Sequence, residues 1–127
     1  MKEVTKEWIE KAEDDYRVAL HEMERDDPVY DAVCYHSQQC IEKYMKAALT
    51  ENEIDFEKIH DLDVLLKQCK DIIPKLNEQR DDIVKLSVYA IEIRYPGITS
   101  SSEETKDTFE IMKKLRIILR NYFKLND

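Results

Sequence analysis

Residues 35–49 read YHSQQCIEKYMKAAL, and in this stretch polar and apolar residues recur at the spacing of an α-helix. Its polar members are unusual for a helix that belongs in a bundle core. His36, Gln39 and Lys43 stand at i, i+3 and i+7, so they share one face of the helix. Such a face can present hydrogen-bond donors to a phosphate or a base. It can equally be a solvated strip beside the core, with His36 making a local hydrogen bond.

Outward from this helix, periodic apolar residues predict further helices on both sides. The predicted segments are 5–25 with Thr5 as its cap, 30–51, one that begins near Asp61, 77–93, and a last one that opens at Ser102. Pro74 either interrupts the third segment or begins the next. One Gly and three Pro leave little turn chemistry for β structure. The predicted fold is therefore all-α, an up-and-down bundle of four to five antiparallel helices.

The length of 127 residues predicts a single domain, 1–127, without linker or repeat. The net charge is −8, and an acidic chain is repelled by phosphate backbones, which argues against bulk nucleic-acid binding. A small basic pocket that holds one nucleotide is still compatible with this charge. The N-terminus is charged and lacks an apolar h-region, and no apolar run is long enough to span a membrane. We expect a cytoplasmic protein that does not contact membranes.

Several common chemistries find no signature in this chain. Cys34, Cys40 and Cys69 form no CxxC pair and are interpreted as small buried hydrophobes in a reducing cytosol. A P-loop is excluded because Gly97 is the only Gly, and HExxH is absent. Three scattered His without a close Cys pair do not make a zinc site. The sequence therefore predicts no metal and no cofactor.

Two short motifs carry candidate chemistry at helix ends. In the pair His60-Asp61 the His can serve as a general acid–base group, although Asp61 can instead cap a helix while His60 docks the loop. In Arg94-Tyr95-Pro96-Gly97 the Arg suits bidentate phosphate binding and the Tyr can stack on a base. The alternative for Arg94 is an interaction with the negative end of its helix dipole.

The last helix carries a fourth candidate, a set of cations that comprises Lys113, Lys114, Arg116, Arg120 and Lys124. Arg116 and Arg120 stand at i and i+4, a spacing that can grip a phosphate. They can also simply complement the C-terminal helix dipole.

Taken together, the QQCIEKYMKA helix, the His60-Asp61-Leu62 triplet and the Arg94-Tyr95-Pro96-Gly97 turn resemble the HEPN domain family (higher eukaryotes and prokaryotes nucleotide-binding), in its stand-alone prokaryotic type. The resemblance covers nearly the whole chain. It implies a bundle of four or five helices, usually a homodimer. It also implies a partner, because stand-alone members are often encoded beside a minimal nucleotidyltransferase in a toxin–antitoxin-like pair. The matching positions are Gln38, Gln39, Glu42, Lys43, Lys46, His60, Asp61, Leu62, Arg94, Tyr95, Pro96 and Gly97.

Many members of this family are metal-independent ribonucleases, with a signature of an Arg followed, after four to six residues, by a His. This chain departs from that signature. Arg17 and His21 have three residues between them, Arg25 and His36 have ten, and no His follows Arg80. The resemblance therefore favours the branch without ribonuclease activity.

Three functions follow from these expectations. The leading hypothesis is a homodimeric binding module for a nucleotide or a minimal nucleotidyltransferase, with Gln39, Lys43, His60, Arg94 and Tyr95 as ligand-binding residues. The second is a ribonuclease toxin in which His60 is the acid–base group and Arg94 stabilises the phosphate. The third is a dimeric scaffold whose polar helix face serves only packing and solubility.

Overall fold

The structure, a computed structural model, describes residues 1–93 and 95–125. Within these ranges every regular element is a helix, which confirms the all-α fold class. The helices are α1 (Glu3–Met23), α2 (Tyr30–Glu51), α3 (Leu62–Cys69), α4 (Pro74–Asn77), α5 (Arg80–Glu92) and α6 (Ser102–Tyr122). In the described part of the chain, no helix combines the length and the apolar character that crossing a membrane requires.

Helices α1 and α2 are antiparallel neighbours. At one end Thr5 donates a hydrogen bond to Glu51 over 2.9 Å, and midway along the pair Tyr44 donates to Glu13 over 2.6 Å. Later residues of α1 therefore contact earlier residues of α2, as in an antiparallel pair. A short loop of residues 24–29 allows this reversal.

Helices α2 and α6 run in the same direction. The Cys34 thiol near the beginning of α2 lies 3.8 Å from Thr105 Oγ1 near the beginning of α6. At the other end, Asn52 just after α2 donates to the Tyr122 hydroxyl over 2.7 Å. Helix α5 runs in the opposite direction to α6, since Asp82 pairs with Lys114 and Lys85 pairs with Asp107.

Helix α2 is the centre of the bundle, since it packs against α1, α3, α5 and α6. Of its 22 residues 14 are buried, so it is covered on nearly every side. The line of residues at helical spacing that the sequence predicts for the core is buried, and it comprises Val33, Ser37, Cys40, Tyr44 and Ala47. Ser37, Ala47 and the neighbouring Ala48 are small and allow close approach of the neighbouring helices. Besides Ser37, the same helix buries four larger polar side chains, which are Gln38, Gln39, Glu42 and Lys46.

The predicted cap of α1 is wrong. The helix begins two residues earlier, at Glu3, with Lys2 in the N-cap position and no side-chain capping bond. Thr5 is fully buried and donates to Glu51 on α2 instead. The reason is tertiary: the end of α2 brings a carboxylate next to Thr5, and a local cap signal cannot report such a partner.

The starts of the later helices agree better with their sequence signals. Asp61 caps α3 by accepting the backbone N–H of Asp63 over 2.9 Å, as predicted. Pro74 begins the single turn of α4, as in one of the two predicted alternatives, and α5 then starts at Arg80 rather than at residue 77. Helix α6 opens at Ser102 as predicted, behind a capping box formed by Ser101 and Glu104.

Candidate functional site

Two buried carboxylates organise the polar face of α2. Asp15 of α1 is 6% exposed and Glu42 of α2 is 2% exposed. Each carboxylate gathers one Lys and one His. We call this set the α2 polar cluster, and its members are Asp15, His36, Gln38, Gln39, Glu42, Lys43, Lys46 and His60.

Asp15 joins α1 to the outer edge of the α2 polar cluster. Its two oxygens contact His36 Nδ1 at 2.7 Å and Lys43 Nζ at 2.5 Å. His36 and Lys43 are seven residues apart, two helical turns, and the predicted shared face therefore points at α1. Sequence reasoning missed Asp15. It lies three residues after Ala12 and four before Ala19, and both of these apolar residues of α1 are buried. A charged residue at helical spacing between two apolar positions was therefore the signal that the sequence offered.

Glu42 joins α2 to the loop before α3. His60 Nδ1 lies 3.0 Å from Glu42 Oε1, and Lys46 Nζ lies 3.0 Å from Glu42 Oε2. The amides of Gln38 and Gln39 also donate to this carboxylate, over 3.2 and 3.4 Å. A carboxylate that leaves water needs such a complement of donors, because an unpaired buried charge is very costly.

Lys46 completes this buried arrangement with aromatic contacts. Its ammonium lies 5.7 Å from the centre of the Trp8 ring and 5.8 Å from that of Phe56. The two rings meet edge to face. Their π-faces favour a cation that has lost most of its hydration.

The predicted ligand-binding residues therefore fall into different environments. Gln39 is buried and donates hydrogen bonds to Gln38 and Glu42. The Lys43 side chain is 23% exposed and pairs with Asp15. The His60 side chain is 56% exposed, with one ring nitrogen on Glu42. Tyr95 is 63% exposed in the turn after α5, and Arg94 lies outside the described residues.

His60 and Asp61 do not act on each other, although they are sequence neighbours. The carboxylate that orients the His60 ring is Glu42, while Asp61 caps α3. The backbone carbonyl of His60 accepts a hydrogen bond from Gln38 over 3.0 Å. His60 thus docks the loop as predicted, and it does so through Gln38 and Glu42 of α2.

The described thiols and hydroxyls of the core do not form an activated nucleophile. Burial raises the pKa of Cys40 well above its ordinary value and that of Cys69 to about 12, so both are protonated near neutral pH. Cys34 is buried and free as well. Ser37 is fully buried and, as adjacent helical residues do, diverges from His36. Among the described residues no group of His, Cys, Asp and Glu could hold a metal ion.

A second polar cluster lies on the opposite flank of α1. Glu13 accepts two hydrogen bonds from Arg116, with distances of 2.8 and 2.6 Å, and one from Tyr44. Arg120 donates to the Tyr44 hydroxyl over 3.0 Å and pairs with Glu13 at 3.4 Å. The two predicted cations therefore serve a tertiary network instead of the helix dipole.

The electrostatics of this second cluster follow from its hydrogen bonds. Burial acts to raise the pKa of Glu13, but the hydrogen bonds from Arg116 and Tyr44 and the nearby guanidinium charges outweigh it and hold that pKa below 4.5. Burial, together with the hydrogen bond to Glu13, raises the pKa of Tyr44. Tyr44 thus acts as a neutral donor to an ionised carboxylate.

One comparison with known proteins gives a match, and this match agrees with the all-α fold. The family model described as "HEPN domain" matches residues 5–122, which contain every helix from α2 to α6 and most of α1. Searches of curated proteins and of solved structures found no match. The chain therefore belongs to the HEPN domain family.

Proposed function

We propose that this protein is a cytoplasmic, homodimeric binding module for a nucleotide or for a minimal nucleotidyltransferase partner, and that the α2 polar cluster is its ligand-binding face. The proposal rests on one observation. Partly exposed hydrogen-bond donors on this face are held in position by ion pairs with buried carboxylates. Lys43 and His36 pair with Asp15, and His60 pairs with Glu42. The three buried, free thiols fit a reducing compartment.

This arrangement supports binding because its donors are fixed before a ligand arrives. A ligand that meets pre-ordered groups avoids part of the entropy cost of association. Buried ion pairs are often no more stabilising than apolar residues of the same volume. A face that buries two carboxylates and a Lys is therefore better explained by recognition than by packing alone.

Lys43→Gln should weaken nucleotide binding about tenfold, because it removes a charge-assisted hydrogen bond from the exposed edge of the cluster. Titration calorimetry with a panel of mono-, di- and triphosphate nucleotides measures the effect. Lys70→Gln is the matched control, since Lys70 is exposed beyond the end of α3. Light scattering gives the oligomeric state, and co-purification with the adjacent-gene product tests the protein partner. Absence of both nucleotide heat and co-purification would reject the proposal and leave the scaffold hypothesis.

A second function, a metal-independent ribonuclease, is favoured by the geometry of His60. A buried carboxylate fixes one ring nitrogen of an exposed imidazole, an arrangement that orients a general acid–base group. The proposed binding function predicts no RNA cleavage in EDTA, either by the wild type or by His60→Ala. Cleavage that is lost in His60→Ala and retained in His21→Ala, a change of an exposed His on α1, would establish the ribonuclease instead.

A further inference from the structure

A cleft of about 490 Å³ opens between α1 and α6, on the flank of α1 that turns away from the α2 polar cluster. Its first wall carries Glu13, two residues before Asp15, and side chains two residues apart on a helix point about 200° apart. The volume lies in the range of small-molecule sites. The cleft is lined by Glu13, Tyr16, Lys113, Arg116, Ile117 and Arg120.

The charge of this cleft is opposite to that of the chain. The protein carries a net charge of −8, yet the lining contains three cations and one carboxylate. A local excess of positive charge on an acidic molecule concentrates anions at that place. The cleft can therefore attract an anion although the molecule as a whole is acidic.

The guanidinium groups of the cleft are held in fixed positions. Arg116 pairs with both oxygens of Glu13, and its guanidinium carbon lies 3.9 Å from the centre of the Tyr16 ring. The Arg116 and Arg120 side chains are only 12% and 13% exposed. Such partly desolvated, braced guanidinium groups act on an anion with little screening by water.

The mouth of the cleft is more open. The Lys113 side chain is 40% exposed, pairs with Glu110 one turn earlier and covers the Phe109 ring. Ile117 is 49% exposed beside it. An anion that enters the cleft would therefore pass Lys113 before it reaches the two guanidinium groups.

We propose that the α1–α6 cleft is an anion site for a small diphosphate-bearing ligand, separate from the α2 polar cluster. The deep guanidinium groups face one end of the diphosphate, and Lys113 at the mouth faces the other. Arg is the residue best suited to phosphate oxygens, and a Lys adds a mobile point charge. The site requires no catalytic step and no metal.

Lys113→Gln should weaken diphosphate binding about fivefold at low salt. The probes are inorganic pyrophosphate and ADP, which separate a free diphosphate from a nucleoside diphosphate, and adenosine is the control without phosphate. Lys114→Gln is the matched variant: it removes the same charge from the next residue, which pairs with Asp82 of α5 outside the cleft. Equal affinities of the Lys113→Gln and Lys114→Gln variants would overturn the proposal, as would absence of heat with both diphosphates.

Ile117→Glu provides an independent test, because Ile117 is half exposed and its replacement should leave the core intact. A carboxylate at the mouth should abolish diphosphate binding. Val18→Glu, on the exposed far side of α1, adds the same charge outside the cleft and should not abolish it. Nucleotide binding that is lost in Lys43→Gln but unaffected in Lys113→Gln and Ile117→Glu would reject the cleft and retain the function proposed for the α2 polar cluster.

Discussion

Glu42→Leu should lower the free energy of unfolding by about 3–5 kcal/mol, the range found when one partner of a buried ion pair is removed. Glu42 is 2% exposed and Lys46 is 6% exposed. Without the carboxylate, the Lys46 ammonium is left in the core, where its remaining partners among the described residues are the Trp8 and Phe56 rings. Two ring contacts recover only part of the desolvation cost of an ammonium.

Most of this loss should come from Lys46 and little from the amides. Gln38 still donates to the His60 carbonyl, and Gln39 still donates to Gln38. The double variant Glu42→Leu/Lys46→Met should therefore recover most of the stability, since it removes both charges at nearly constant volume. A favourable coupling between the two changes is the signature of the pair.

Urea denaturation followed by circular dichroism measures Glu42→Leu, Lys46→Met and the double variant. Glu10→Leu, a change of an exposed carboxylate on α1, is the control and should leave the midpoint nearly unchanged. A Glu42→Leu protein within about 1 kcal/mol of the wild type would show that Lys46 finds water or another partner. If the double variant is no more stable than Glu42→Leu, the loss of unfolding free energy comes from the Gln38 and Gln39 amides and not from Lys46.

The local features of α2 were predictable from the sequence. Its bounds, 30–51, and its apolar line agree with the structure, because helix periodicity and turn residues are properties of a short window. The approximate positions of the other long helices were predictable for the same reason. The buried polar residues were not: Gln39 and Lys46 stand among polar positions whose burial depends on which neighbours pack there.

The partners of the candidate site were beyond the sequence because they come from other elements. Spacing placed His36 and Lys43 on one face, but Asp15 lies 21 and 28 residues away from them. Arg116 meets Glu13 across 103 residues. The pairing of carboxylates with cations depends on how each helix is rotated about its own axis in the bundle. The sequence pattern of a single helix does not determine this rotation relative to its neighbours.

Glu13→Gln should lower the free energy of unfolding by about 2 kcal/mol at pH 7. The change keeps the shape of the side chain but removes the charge that separates Arg116 from Arg120. Like charges that face each other across a partly buried carboxamide repel, and the hydrogen bonds from Arg116 and Tyr44 lose their ionised acceptor. Glu10→Gln, on the exposed side of the same helix, is the matched control.

The dependence of this loss on pH follows from the lowered pKa of Glu13. A carboxyl whose pKa is lower in the folded state stabilises the protein fully above its unfolded value, here 4.5, and loses that contribution as the pH falls through the folded value. The difference between wild type and Glu13→Gln should therefore be constant from pH 7 to about pH 5.5 and shrink below pH 4.5. Urea denaturation of both proteins across this range measures it. A difference that persists undiminished well below pH 4.5 would mean that the carboxamide itself, with its NH2 donor beside two guanidinium groups, and not the lost charge, destabilises the contact of α1 with α6.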